Sequence, residues 1–313
     1  NDLTGIHRLE RNGYLNLIDE VIPYKGAVCE PWGPSEELVS FPKSCVINRS
    51  IRTRNDLISH AYKNNIFVVR VADQYISQEL AGRIIAKASQ KFGIRNQDIR
   101  SKELCIVLGL RFENRTWTNQ VEGLVEVCKY LSSKAHRITF IIDGHDLLEQ
   151  SGESIKSHHE KLDHDVVSLE KDTASILMAS NMGEHVNFIS AVEISLYRTI
   201  ELINSCDFFI APWGAGLAKY KWVCNKPGII FTSQWNLRNR GDLLIYETEK
   251  YREGATRCLY VGEEHIQDSS ENSESLINVK AKGGARSRAN FYVEPVGIMN
   301  KIDELLASLG SKA

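Results

Sequence analysis

The sequence predicts an α/β protein in which parallel strands alternate with helices. Short β-branched or apolar runs are separated by longer stretches with apolar residues at helical spacing, an alternation typical of βαβ units. With 313 residues, of which 42% are hydrophobic, the chain can form one large or two medium domains. A charged linker at residues 93–102 separates two βα groups, so we expect domains at residues 1–98 and 99–313.

The N-terminal domain is predicted to be small or incomplete. After a short helix and loops, strands are expected near residues 44–48 and at the β-branched run 66–71, with helices at residues 54–64 and 78–92. The last of these helices has apolar residues at helical spacing, and Gly93 suits its C-terminal cap.

The C-terminal domain shows the alternation more clearly. Its predicted strands are short apolar runs at residues 104–110, 138–142, 185–189, 208–211 and 228–231. Its predicted helices have apolar residues at helical spacing and cover residues 119–131, 165–181, 192–205, 216–224 and 296–309. Residues 262–288 are dense in Ser, Glu, Asn, Lys and Gly, which predicts an exposed loop.

The composition argues against several kinds of partner and site. The formal net charge is -2, from 38 basic and 40 acidic residues, so no nucleic-acid partner is expected. Seven scattered cysteines contain no CxxC pair, which argues against a disulfide framework or a zinc site and favours a reduced, cytoplasmic compartment. Sequons at Asn48 and Asn114 make a lumenal location the alternative. No membrane-spanning run or signal peptide is visible, so we expect any membrane association to be peripheral, at the inner face.

A glycine turn follows the strand at residues 208–211 and is the predicted phosphate site. Pro212 ends the strand, and Gly214 and Gly216 let the backbone bend into a helix whose free N–H groups can hold an anion. Lys219 would lie one turn into that helix. The third glycine of a dinucleotide fingerprint is missing and no P-loop Gly-Lys-Ser/Thr follows, so a plain tight turn is the alternative.

The predicted strand at residues 104–110 ends in a loop that carries Arg111 and Arg115. Ligands of doubly wound sheets bind outside the carboxyl ends of the strands. The planar guanidinium group donates hydrogen bonds in pairs and keeps its charge, which suits phosphate. Alternatively, the two arginines form ion pairs with Glu113 and Glu122.

A histidine between two carboxylates follows the predicted strand at residues 138–142. His145 is a candidate general base, which Asp143 or Asp146 would orient. Alternatively, Asp146 caps the next helix and His145 is a surface residue.

Two further polar stretches contain candidate ligand-binding residues. Trp235, with Gln234 beside it, follows the strand at residues 228–231 and could stack on a base or a sugar, whereas burial for packing is the alternative. A second group could attract a metal by composition alone: His158, His159, Asp163 and His164. It lacks the helical i, i+4 pairing of a zinc motif, so a solvated face is expected and no metal site is predicted.

Taken together, these stretches resemble the C-terminal half of a GT-B glycosyltransferase. The family in question includes plant arabinoxylan transferases and the GlcNAc transferases that act on EGF repeats and dystroglycan. Its Arg-rich loop, followed by an Asn, corresponds to Arg111, Arg115 and Asn119. Its Gly-x-His-Gly-Ala-Gly-Leu turn corresponds to Ala-Pro-Trp-Gly-Ala-Gly-Leu at residues 211–217, and the resemblance covers residues 104–232.

The resemblance implies two Rossmann-like domains that face a cleft, with a nucleotide sugar bound mainly by the C-terminal domain and the acceptor approaching from the N-terminal one. Trp213 stands where the family has histidine, so the role of that imidazole does not transfer. Fixed donors can stabilise the leaving nucleotide in place of a metal. No cofactor is expected. The expected donor-binding residues are Arg111, Arg115, Asn119, Trp213, Gly214, Ala215, Gly216, Lys219, Gln234 and Trp235.

The predicted function is therefore transfer of a hexose or an ulosonic acid from a UDP- or CMP-linked donor to a glycan or glycoconjugate acceptor, in polysaccharide biosynthesis. The candidate bases for the acceptor hydroxyl are His145, Asp143 and Glu113. Two alternatives remain. One is a polysaccharide pyruvyl transferase, which uses a similar scaffold with arginines in the cleft. The other is a catalytically inactive module that binds a glycan or a protein. This alternative remains because Trp213 replaces the histidine of the family.

Overall fold

The computed structural model describes residues 76–92, 103–146, 160–269 and 288–310. These residues belong to one compact unit, which begins at Ile76. The elements predicted for residues 1–75 and the predicted domain boundary lie outside the described residues. The two-domain GT-B arrangement therefore remains a prediction.

Within the described residues, six parallel strands form the central sheet. In chain order they are β1 (Leu104–Gly109), β2 (Ile138–Asp143), β3 (Val186–Ala191), β4 (Phe208–Pro212), β5 (Gly228–Phe231) and β6 (Cys258–Tyr260). In space their order is β3-β2-β1-β4-β5-β6, which is the order of the doubly wound, Rossmann-like sheet. The predicted α/β class with a parallel sheet is confirmed.

Helices accompany the strands on both faces of the sheet. In the described part of the chain they are α1 (Gln78–Phe92), α2 (Gln120–Ser132), α3 (Glu160–Ala179), α4 (Leu196–Asn204), α5 (Gln234–Asn239), α6 (Pro295–Leu309) and a π-helix (Lys219–Val223). Helices α1 and α4 pack against each other and against the π-helix. Helix α2 packs against α3 and α6. None of the helices in the described ranges is both long and apolar enough to cross a membrane.

The side-chain alternation of the strands divides the core into two layers. Ile210 of β4 shares one buried cluster with Leu124 of α2 and Ile302 of α6. The preceding residue, Phe209, points to the opposite face, where its ring lies 4.9 Å from that of Tyr220 in the π-helix. Because both faces are covered, the central strands are continuous apolar runs, the feature that made them predictable.

A small second sheet begins inside the segment that the sequence predicts as an exposed loop. Strand β7 (Ile266–Asp268) pairs antiparallel with β8 (Phe291–Val293). The loop prediction for residues 262–288 is wrong at Ile266, which is 1% exposed and belongs to the core. The segment is rich in Ser and Lys, so its composition does not indicate that Ile266 lies in a buried strand.

Two further elements differ from the prediction. The predicted helix at residues 216–224 is mostly a π-helix, in which the amide of Cys224 donates to the carbonyl of Lys219, five residues earlier. Residues 234–239, for which the sequence predicts no regular element, form α5. This short helix is capped by Ser233, whose hydroxyl accepts a bond from the amide of Asn236 at 3.2 Å.

Candidate active site

The strand order reverses between β1 and β4, and such a switch point is where doubly wound sheets bind ligands. The two strands pair in parallel, with Ile106 beside Phe208, so their carboxyl ends meet at one edge. The loop after β1 carries Arg111 and Arg115, and the turn after β4 begins at Trp213. The structure therefore brings two separately predicted stretches to the same edge of the sheet.

The side chain of Arg111 lies against the glycine turn. Its Nε and Nη2 atoms donate to the main-chain and side-chain oxygens of Asn114, at 2.6 and 2.9 Å. A Cβ atom built on Gly214 would lie 2.2 Å from Nη1 of Arg111. Glycine is therefore the residue at position 214 that lets the guanidinium approach the backbone.

Two guanidinium groups, those of Arg115 and Arg240, lie over the ring of Trp213. Their central carbons are 5.1 and 4.3 Å from the ring centroid, within the range of cation–π contacts. Nε of Arg115 also donates to the side-chain oxygen of Asn114 at 3.2 Å. The φ angle of Arg115 is 57°, a left-handed conformation that costs a non-glycine residue roughly 1–3 kcal/mol and is common at functional sites.

Two hydrogen bonds join the turn after β4 to the 3₁₀-helix Leu243–Tyr246. Nε1 of Trp213 donates to the carbonyl of Leu243 at 3.0 Å. The hydroxyl of Tyr246 donates to the carbonyl of Gly214 at 2.9 Å. These bonds fix the indole ring and the glycine turn without a ligand, so little ordering cost remains for binding.

Lys219 does not point at a solvent-exposed turn but into a buried cluster. Its Nζ donates to Asp143 at 2.8 Å and to Asp146 at 3.1 Å, and Asp143 also accepts a hydrogen bond from the hydroxyl of Tyr220. Burial raises the pKa of Asp143 to about 6, although the ammonium group of Lys219 opposes this shift. The pKa of Lys219 is raised, because the pull of the two carboxylates outweighs burial.

His145 lies between two carboxylates, as predicted, but different ones. Its Nδ1 is 2.8 Å from Oε1 of Glu170 in α3, and its Nε2 is 3.4 Å from Oε1 of Glu113. Glu170 therefore orients the ring, a role that the sequence suggested for Asp143 or Asp146. Burial lowers the pKa of His145, but hydrogen bonds to Glu113 and Glu170 outweigh it and raise the pKa to about 10. At neutral pH the imidazole is protonated and cannot accept a further proton.

Three other predicted donor-binding residues lie in the segments that follow β1 and β4. Asn119, just before α2, exchanges two hydrogen bonds with the backbone of Val293 in β8, at 2.9 and 3.2 Å. Ala215 is half-buried in the turn, and Gly216 is exposed, with no atom within 4 Å of a Cβ built on it. Asn119 therefore positions the start of α2, whereas the turn at Gly216 has room for a ligand.

Gln234 and Trp235 form a separate set of contacts at the start of α5. Their amides donate to the carboxylate of Asp268 at 2.6 and 3.0 Å, and Nε2 of Gln234 donates to the carbonyl of Glu263. Among the described residues, the half-buried Trp235 makes no aromatic or cation–π contact, so its ring does not join the arginines.

The polar segment at residues 158–164 cannot be compared with its prediction, because residues 158 and 159 and the side chains of Asp163 and His164 lie outside the described part. Among the side chains that the structure describes, no three His, Cys, Asp or Glu residues lie close enough to hold a metal ion.

Glu170, Arg240 and Tyr246 belong to the site but were not predicted. Glu170 is 25 residues from His145, and Tyr246 is 32 residues from Gly214, so no local pattern links them. Arg240 lies in the Arg-Asn-Arg-Gly run that follows Trp235, and this basic run was the signal available in the sequence.

No protein-family model and no curated protein matches this sequence. Among solved structures, it is similar to the E. coli ADP-heptose lipopolysaccharide heptosyltransferase II, with 12% identity over 72% of this chain and 52% of that chain (TM-score 0.37). It is similar to a family 9 glycosyl transferase from Veillonella parvula, with 10% identity over 81% and 60% of the two chains (TM-score 0.34). A UDP-GlcNAc 2-epimerase from Methanocaldococcus jannaschii is 15% identical over 82% and 59% of the two chains (TM-score 0.32).

The chain spans between about half and three fifths of the length of these structures. Similarity at this level carries no argument about function. The resemblance to the arabinoxylan and EGF-domain GlcNAc transferase family therefore remains a prediction.

Proposed function

We propose that the protein is a glycosyltransferase that moves a sugar from a nucleotide-sugar donor to a glycan or glycoconjugate acceptor. The observation that carries this proposal is the convergence of Arg111 on Gly214 and of Arg115 on Trp213 at the switch point of the sheet. Nucleotides bind at this edge of Rossmann-like sheets. Two guanidinium groups suit the phosphate that links a nucleoside to its sugar.

The arginines would act on the leaving group. When the bond between the sugar and the donor phosphate breaks, the phosphate oxygen gains negative charge. Donors that are already in place stabilise this charge more in the transition state than in the ground state. Arg111 is held by two bonds to Asn114 and Arg115 by one, so both are positioned in advance. We propose that they make a metal or other cofactor unnecessary.

The acceptor hydroxyl must lose a proton as its oxygen forms the new glycosidic bond, and we propose Glu113 as the base. Its side chain is 38% exposed and its carboxylate lies 3.4 Å from Nε2 of His145. The protonated His145 would orient the carboxylate rather than take the proton. Asp143 is buried and bonded to Lys219 and Tyr220, which keeps it from an acceptor.

We further propose that the acceptor approaches from the N-terminal residues and that the protein acts in polysaccharide assembly in the cytoplasm, with a lumenal location as the alternative. The structure bears on one reason for that alternative, the sequon at Asn114. The side-chain oxygen of Asn114 accepts hydrogen bonds from both arginines, and Thr116 is buried. A glycan on this asparagine would have to fit between two guanidinium groups.

Nucleotide binding to the purified protein tests the proposal. Melting temperatures would be measured with UDP, GDP, CMP, their sugar conjugates and phosphoenolpyruvate, because a ligand of the native state raises Tm. We expect one nucleotide class to raise Tm by roughly 5–10 °C at 100 times its Kd. The shift should be lost in Arg111→Ala and Arg115→Ala. Arg238→Ala is the matched control, because Arg238 is exposed and pairs with Glu263.

The other outcomes separate the alternatives. A shift with phosphoenolpyruvate and none with any nucleotide would favour the pyruvyl transferase. Nucleotide binding without release of nucleotide from any sugar donor would favour the inactive binding module. No shift with any of these ligands in a folded sample would remove the proposal.

A further inference from the structure

We propose that Arg240 is a third ligand of the donor phosphates, and that it makes the site selective for nucleoside diphosphates over nucleoside monophosphates. This inference rests on the proposed function. It concerns a residue from a different part of the chain, between α5 and the 3₁₀-helix, which the structure brings to the turn after β4.

Two of the cationic groups contact the same side chain, that of Trp213. Its ring carries the guanidinium groups of Arg240 and Arg115, with centroid distances of 4.3 and 5.1 Å. Arg111 lies against the next residue, Gly214. Three guanidinium groups therefore converge on two consecutive residues, directly beyond the carboxyl end of β4.

Asp242 fixes the orientation of Arg240. Nε and Nη2 of Arg240 donate to the two carboxylate oxygens at 2.8 and 2.7 Å, a bidentate pair that uses two of the five N–H donors of the guanidinium. The Arg240 side chain is 26% exposed, so a ligand can reach it from solvent while it is held in place. Hydrogen bonds from Arg240 and the charges of Arg240 and Arg115 lower the pKa of Asp242, although burial opposes the shift.

The arrangement favours two phosphate groups over one. Guanidinium groups on one indole ring repel each other, and an anion between or beside them relieves this repulsion. One phosphate would lie beside Arg111 and Arg115, which both donate to the side-chain oxygen of Asn114. A second phosphate would be the partner of Arg240 on the same ring.

The competing explanation is that Arg240 only fastens the chain between α5 and the 3₁₀-helix onto Trp213. In that case, replacing Arg240 would lower the stability of the protein and weaken the binding of all ligands equally. Comparing diphosphates with monophosphates of the same nucleoside separates the two roles, because the nucleoside contacts cancel.

The experiment is isothermal titration of the wild-type protein, Arg240→Gln and Arg240→Lys with UDP, GDP, ADP and CDP and with the matching monophosphates. For the nucleoside that binds, Arg240→Gln should raise the diphosphate Kd about 10- to 100-fold and the monophosphate Kd less than about 3-fold. Arg240→Lys keeps the charge but loses the planar fork, so an intermediate loss is expected. Arg238→Gln, an exposed arginine on the same segment, should change neither Kd.

Equal weakening of the two ligands, or an unchanged diphosphate Kd, would overturn the role of Arg240 and leave the proposed function intact, because a nucleotide would still bind. If both Arg240 variants fail to fold, competition on the wild-type protein decides. Inorganic pyrophosphate should displace the bound nucleotide at least about 10-fold more effectively than phosphate, and equal displacement would refute the selectivity. If no nucleotide binds the wild-type protein, both this inference and the proposed function fail.

Discussion

Nζ of Lys219 lies 2.8 Å from a carboxylate oxygen of Asp143, and both side chains are buried. The ion pair joins the carboxyl end of β2 to the π-helix that follows β4, and β1 lies between these two strands in the sheet. The sequence suggested Lys219 as a phosphate ligand. In the structure its ammonium group is the counter-ion of two carboxylates, because Asp146 shares it at 3.1 Å.

Replacing Lys219 should destabilise the fold strongly. We expect Lys219→Met to lower the free energy of unfolding by about 3–5 kcal/mol, because two buried carboxylates lose their cation. Urea denaturation measures this loss. Lys301→Met is the control, since Lys301 and Glu304 form an exposed pair that contributes about 0–1 kcal/mol. A loss below 1 kcal/mol for Lys219→Met would show that the cluster does not need its cation.

Gly214→Ala should separate ligand binding from stability. The new methyl group would meet only the flexible end of Arg111, so the guanidinium must move while the backbone need not. We expect nucleotide affinity to fall about 10-fold or more, with a stability change below about 1 kcal/mol. Gly82→Ala, on the exposed side of α1 with open space around the added atom, should leave nucleotide affinity nearly unchanged. Equal effects of the two substitutions on affinity would contradict this account.

Glu113→Gln should act on turnover rather than on donor binding. We expect kcat to fall by a factor of about 10²–10⁴, because the amide cannot take the acceptor proton, while KM for the donor changes little. Steady-state kinetics with the nucleotide sugar identified by binding would measure both. Glu193→Gln, an exposed glutamate that pairs with Lys171, is the control. Wild-type kcat in Glu113→Gln would rule out this base.

The pKa of His145 predicts a loss of stability at alkaline pH. Its folded value is about 10, above the ordinary 6.5, so its contribution is fully present below pH 6.5 and is lost as pH rises through 10. The side chain is 35% exposed, and after allowing for solvent screening we expect a contribution of about 1–2 kcal/mol.

The measurement is the difference in unfolding free energy between the wild-type protein and His145→Gln at pH 6.5, 8 and 9.5. The difference should shrink as pH rises. The histidine signal in NMR gives an independent check, because Glu170→Gln should lower the pKa of His145. A difference that stays constant over this pH range would show that the imidazole is not charged in the folded state.

Most of the central fold could be predicted because strands buried on both faces leave uninterrupted apolar runs. Strands β1, β2, β4 and β5 and the helices α1, α2 and α6 lie within one or two residues of their predicted positions. The prediction failed for short elements. Strands β6, β7 and β8 have three residues each, too few for a pattern of their own, and they exist because tertiary contacts stabilise them.

The site could be predicted only in part. Arg111, Arg115 and Gly214 were identified because the carboxyl ends of parallel strands meet at one edge, which is a rule of topology. The partners of these residues come from distant segments. Glu170 and Arg240 reach the site through the packing of α3 and of the chain after α5, and no spacing in the sequence encodes that contact.

The pairing of β8 with the chain before α2 has a consequence for how this unit is made. Phe291 is fully buried against Phe231, and its backbone bonds to Thr116 and Thr118, while Asn119 holds Val293. During synthesis, residues 103–269 are made before residues 288–310. Until α6 and β8 have been made, the part of the core beside β5, β6 and α2 is uncovered. The unit can therefore complete its core only when its last helix has been synthesised.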